Sequence, residues 1–243
     1  MGLFIFAPVA LVVLILLDRN TRVTPGVRDA CLYFGAFVFS LVIALRPGMD
    51  PFAVPIISPA ASLAHHPFWN TGPVTGGMHM TDISCILQPL WMDIRAQLHA
   101  GQWPVWTDGL FAGCPVWANP QAGVLSPWHW LFFWLGDTGL TLMALTRWAV
   151  ALAGMYLLAR RAGAEGIGAA IAGAIYAFCG PMVIWVLYPM GGALALWPWM
   201  AYFAAQVAGR GCRRDGLFLT LCATFLVLSG HPESALWGMC IAL

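Results

Sequence analysis

This chain has no lysine at all, and only 9% of its 243 residues are charged. With a formal net charge of +1 at pH 7 it has no electrostatic pull toward a polyanion, so a nucleic-acid partner is excluded as an expectation. It also lacks every compact metal or redox spacing. The seven cysteines form no C-x-x-C, and no H-E-x-x-H occurs. None of the six histidines falls near the middle of an apolar run, where pigment or haem binding would want one. What is abundant is apolar: 60% hydrophobic residues, 13 tryptophans and a mean hydropathy of +0.79, which place the chain in the membrane class.

The apolar runs predict an all-α integral membrane protein, a polytopic bundle of about seven spans in a single domain over 1–243. Two leading spans, Leu3 to Leu17 and Ala30 to Leu45, occupy 1–46. A long loop with interfacial helices fills 47–126, and the remaining spans occupy 127–243. Trp128 to Leu135 is too short to cross a bilayer of ~20-residue span length and reads as interfacial or re-entrant. The spans expected after it are Leu140 to Leu158, Ile167 to Leu187, Gly192 to Ala208 and Leu217 to Leu228. A last one begins near Ala235 and is cut off at Leu243, as in a fragment.

Arginine placement orients these spans, because basic residues in short loops stay cytoplasmic. Arg19, Arg22 and Arg28, then Arg160 and Arg161, then Arg210, Arg213 and Arg214 all come out on one side. The long loop, the Tyr188-Pro189 turn and the Gly230-His231-Pro232-Glu233 turn then face the non-cytoplasmic side. Ala169, Gly173 and Ala177, at four-residue spacing, predict close helix approach.

The loop is where polar residues gather. Ile83, Ile86, Leu87, Leu90, Trp91, Ile94 and Leu98 recur at helical spacing, predicting a membrane-surface helix from Met80 to Ala100 interrupted at Pro89. Asp82 stands at its start, and periodicity alone makes it an N-cap. His65, His66 and His79 with Asp82 offer a loose divalent-metal set, but solvated loop histidines fit the spacing better, so no metal is assigned. Asn119-Pro120-Gln121 reads as turn chemistry first and ligand contact second. Cys85 and Cys114 share the loop, as two thiols or as a disulfide in an oxidising compartment. Arg147, eight residues inside a span, is the one ionised group there; such a charge is costly and marks function or a local carbonyl partner. So few ionisable groups in the spans argue against a transporter's proton or ion path.

Several motifs together resemble a known family: Asp82 followed by Gln88-Pro89, Gly101-Gln-Trp-Pro-Val-Trp106, Leu110 to Pro115, Ala118-Asn-Pro-Gln121 leading to Ser126-Pro127, then Gly154 to Arg160 and Ser229-Gly-His-Pro-Glu233. This set resembles bacterial YfhO-like membrane proteins, from roughly Thr81 to the end of the chain. That family is similar to the GT-C superfamily of membrane glycosyltransferases, although the extra leading helix Leu3 to Leu17 departs from the simplest GT-C plan. The resemblance implies an enzyme of the bacterial inner membrane that moves sugar from a polyprenyl-phosphate donor to a glycan, lipid or protein acceptor hydroxyl on the non-cytoplasmic face. By loop position it implies Asp82 as the general base. Arg95, Arg147, His79 and His231 are the candidate ligands of the donor phosphate, and Asn119, Gln121 and Glu233 of the substrates. The alternative is a non-catalytic membrane subunit or lipid-handling scaffold of the same architecture.

Overall fold

The computed structural model describes residues 82–110 and 112–242, with Gly35 and Val38, both helical. The two leading spans, the loop before Asp82, Arg46, His65, His66 and His79 otherwise lie outside the described residues. The described chain is mostly helical, as an all-α reading requires.

A π-helical turn, Ile83–Leu87, runs straight into helix α1, Gln88–His99. Pro89 has no N–H for the α ladder, and at this join the Gln88 N–H bonds back to the Ile83 carbonyl, five residues away. The interruption expected at Pro89 is this register change. The stripe Ile83, Leu87, Leu90, Trp91 and Ile94 is fully buried, and Trp91 packs 6.1 Å from Phe132 of helix α2, Pro127–Leu135. The chain between them forms a two-residue antiparallel pairing, β1 (Trp106–Thr107) with β2 (Cys114–Pro115), and a 3₁₀ turn, Pro120–Ala122. Cys85 and Cys114 are free thiols.

Helix α3, Asp137–Arg161, is 25 residues long. At 1.5 Å per residue it spans about 37 Å, more than the ~30 Å of a hydrocarbon core. By length and composition it is the one helix among the described residues apolar enough to cross a membrane. Helix α4, Gly166–Ala177, returns antiparallel to it, with Ala169, Gly173 and Ala177 buried. At Gly173 an added Cβ would come 2.9 Å from the Leu152 carbonyl oxygen, so these backbones meet as the small-residue spacing predicts.

The stretch expected as one span to Leu187 is divided instead. It stops at Ala177 and resumes as α5, Gly180–Ile184, because Pro181 cannot donate to the ladder and takes a first-turn position. Helix α6, Pro189–Arg210, carries Pro198 without breaking. Pro198 cannot donate to the carbonyl four residues back, Leu194, and the Tyr176 hydroxyl donates there instead, at 2.8 Å. Helix α7, Arg213–Leu228, and helix α8, Pro232–Cys240, complete the described chain.

Side-chain contacts set the directions. α3 and α6 run parallel, since Trp199 Nε1 donates to the Val150 carbonyl (2.8 Å) and Arg161 Nε to Gln206 Oε1 (3.2 Å). α7 returns along α6 with Phe203 and Phe218 stacked at 5.3 Å. Arg160, Arg161, Arg213 and Arg214 therefore lie at one end of the helices, and the turns at Tyr188 and Gly230 at the other. The loop motifs belong to that second end. A Cβ at Gly230 would lie 2.6 Å from the Pro120 carbonyl oxygen.

Candidate functional site

The motif end holds three separate groupings of the residues expected to act. The first joins Asp82 and Arg147 through Tyr188. Asp82 precedes the π-helical turn, its side chain is exposed, and it makes no capping hydrogen bond. Its carboxylate is therefore not used as the N-cap that periodicity suggested. It acts instead on Tyr188, whose hydroxyl is pushed above its ordinary pKa first by burial and then by the Asp82 charge. Tyr188 thus stays protonated, a donor at neutral pH.

Below Tyr188 lies Arg147, with no exposed surface. Its Nη1 donates to the carbonyls of Val186 (2.6 Å) and Tyr188 (2.9 Å), tying α3 to the turn that presents the tyrosine. A buried charge persists only when its donors are satisfied or its position serves something else. Here two carbonyls are satisfied, and the pair fixes where Tyr188 stands. The Arg147 guanidinium also lies 5.7 Å from the Trp128 ring centroid.

The second grouping is the joined pair of turns. Asn119 Oδ1 accepts the Gln121 N–H at 3.0 Å, the turn role sequence gave it, and the Gln121 carbonyl accepts Trp91 Nε1 at 3.1 Å. His231 caps α8, its Nδ1 accepting the Ser234 N–H at 3.2 Å, which leaves that nitrogen unprotonated and the ring proton on Nε2. Glu233 is exposed in the first turn of α8, where a carboxylate suits the helix dipole. Between the turns opens a cleft of about 180 Å³ lined by Asn119, Pro120, Leu125, Val227 and Gly230. Among the described residues, Asn119 is the expected ligand that lines it.

Arg95 stands apart in the third. About 13 residues beyond Asp82 along a helix, it is about 20 Å away, beside Gly136 where α2 turns into α3. One turn further on, His99 Nε2 lies 3.0 Å from the Phe133 carbonyl. Arg147 thus anchors the turn of the residue that feels the Asp82 charge, while Arg95 lies far from Asp82 along its helix. His79 lies outside the described residues.

Sequence reading missed Tyr188, Trp128 and His129. His129 is wholly buried, 4.7 Å from the Trp91 ring, with both ring nitrogens unpartnered. Burial first, and then the Arg147 charge, hold its pKa well below the ordinary histidine value, so it is neutral. A signal was present in Arg147 itself, since a buried arginine implies a polar shell. No protein-family model, curated protein or solved structure matches this chain.

Proposed function

We propose that the chain is a polytopic helical protein of the bacterial inner membrane whose motif end faces away from the cytoplasm, and that it transfers a sugar from a polyprenyl-phosphate donor to an acceptor hydroxyl there. Asp82 is the general base that takes the acceptor proton. Tyr188, protonated and beside it, donates a hydrogen bond to the acceptor or to the departing phosphate. Arg147 holds the Tyr188 turn in place and lends a positive charge beneath it. His79, three residues before Asp82 in sequence, is the cation expected at the phosphate.

The observation that carries this reading is an exposed carboxylate, free of any cap, whose charge, after burial, raises the Tyr188 hydroxyl on a turn that Arg147 anchors. Membrane placement draws support from the outer helix faces. Ile171 and Ile175 on α4, Leu217, Leu221 and Phe225 on α7, and Leu236 and Trp237 on α8 are all exposed, as lipid-facing side chains would be. The segregation of four arginines at the opposite end agrees with the orientation rule. The capping role of His231 favours a second reading, a non-catalytic scaffold, in which polar loop residues only hold turns. Membranes carrying the chain and a polyprenyl-phosphate sugar radiolabelled in the sugar decide between them. Label moving to an acceptor is the expected result, and none moving above membranes without the chain favours the scaffold.

A further inference from the structure

Arg95, Leu98 and His99 stand at i, i+3 and i+4 along α1, and Trp130, Phe133 and Trp134 stand at the same spacing along α2, so each set is one ridge of its helix. Between the ridges lies a cleft of about 150 Å³, lined by Leu98, His99, Trp130, Phe133 and Trp134. Its walls are mostly rings. Trp130 and Trp134 lie 5.9 Å apart between centroids, and His99 and Trp134 6.1 Å apart. Trp134 is 64% exposed, so one wall of the cleft stands at the surface. Arg95 completes the α1 ridge. A Cβ on Gly136, two residues past Trp134, would lie 3.8 Å from its guanidinium carbon, which sets the charge beside the cleft from the α2 side as well. The residue is half-buried, and its Nε has no acceptor. Among the described carboxylates neither Asp93, which accepts Gln97 Nε2 at 2.7 Å, nor Asp137 pairs with it.

We infer that this cleft holds one anionic phospholipid of the bilayer, with the upper part of an acyl chain between the two ridges and the phosphodiester at Arg95. The chemistry sets the class. Leu98 and the rings offer apolar contact that suits hydrocarbon, and indoles favour the layer where chain meets headgroup. The guanidinium matches two phosphate oxygens with parallel N–H bonds. Because no carboxylate balances Arg95, a headgroup with net negative charge is preferred over a zwitterion, whose own cation would come close to the arginine. A cleft of this size admits part of one chain, and the remainder of the lipid stays in the bilayer. Arg95 lies about 20 Å along the helix from Asp82, so the bound lipid is a fixture of the α1–α2 joint and not the sugar donor. This lipid site rests on the membrane placement proposed above, and not on any chemistry at Asp82.

Thermal unfolding of the full chain in mixed micelles, titrated with phosphatidylglycerol or phosphatidylcholine at constant total lipid and ionic strength, tests this. Phosphatidylglycerol should give a saturable rise in Tm, about 5 °C at a hundredfold excess over its Kd, and phosphatidylcholine should need about tenfold more. Arg95→Gln removes the charge, so the phosphatidylglycerol curve should shift to about tenfold higher concentration and meet the phosphatidylcholine curve. Trp134→Ala, at an exposed position, should weaken both lipids alike, and it reports on the cleft even if Arg95→Gln does not fold. Equal curves for the two lipids in the wild type overturn the inference, as does an unchanged phosphatidylglycerol curve in either variant. A Tm rise given by inorganic phosphate alone, or by polyprenyl phosphate and not by phosphatidylglycerol, also overturns it. Flotation with phosphatidylcholine vesicles checks the membrane placement separately: a chain that floats with them but unfolds at the same Tm in both lipids refutes the lipid site and leaves the placement standing.

Discussion

Asp82→Asn is expected to slow sugar transfer by about 10²- to 10⁴-fold while leaving the amount of protein in the membrane unchanged. The two halves of that expectation have separate physical grounds. The rate falls because an amide cannot take a proton from an acceptor hydroxyl at neutral pH. Protein level holds because the Asp82 side chain is exposed and makes no capping bond, so its replacement by a near-isostere disturbs little packing. Asp82→Glu retains a base on a longer arm and should recover part of the rate. Quantifying labelled product per unit of protein by immunoblot checks both halves. Transfer that continues at the wild-type rate in Asp82→Asn removes this residue from the chemistry.

The second large effect is on stability. Gly139→Ala is expected to destabilise the protein by at least about 3 kcal/mol and lower Tm by on the order of 10 °C. A Cβ at this position would lie 2.1 Å from the Leu131 carbonyl oxygen, 2.5 Å from its carbon and 2.6 Å from the Phe132 Cα. All three are backbone atoms, which no rotamer change can move. The joint they belong to is tight: Gly136, at φ +60°, donates its N–H to the Phe132 carbonyl at 2.8 Å, and Gly139 donates to Gly136 at 2.8 Å. The α2–α3 backbones therefore have to part, and with them the packing of α2 on α1 that places Trp91 and the loop. Gly168→Ala is the control. Its Cβ would meet nothing within 4 Å on an exposed face of α4, so the gain in helix propensity, about 1 kcal/mol, should leave Tm equal or higher. Thermal unfolding of the two variants side by side separates steric conflict from any general sensitivity to alanine.

Much of the helical order was legible in the sequence because long apolar runs and their breakers are local signals. The run from Leu140 to Leu158 lies within α3, Gly192 to Ala208 lies within α6, and Leu217 to Leu228 within α7. The two prolines inside expected spans had opposite outcomes. Pro181 ends a helix and Pro198 does not, because a distant hydroxyl, Tyr176, reaches the carbonyl that Pro198 leaves unpaired. No local pattern carries that information. The same holds at the site. Arg147 stood out as a charge in an apolar run, and Asn119 as a turn residue, from their immediate neighbours. That Tyr188 would feel the Asp82 charge, or that the Arg147 guanidinium would lie 5.7 Å from the Trp128 ring, depends on packing between residues far apart in the chain. His231 was read as a ligand, yet His-Pro-Glu-Ser is also a helix start, and the structure uses it as one.

In the proposed arrangement the two ends of the helices lie on opposite sides of a membrane, with the motif end outside. The chain's own thiols mark them: Cys85 follows Asp82 at the motif end, Cys212 lies between Arg210 and Arg213 at the other, and both are exposed. In single-cysteine variants, a membrane-impermeant maleimide applied to spheroplasts should label Cys85 at once and Cys212 only after the membrane is permeabilised. Labelling of Cys212 in intact spheroplasts with Cys85 protected, or equal labelling of both before permeabilisation, would contradict it.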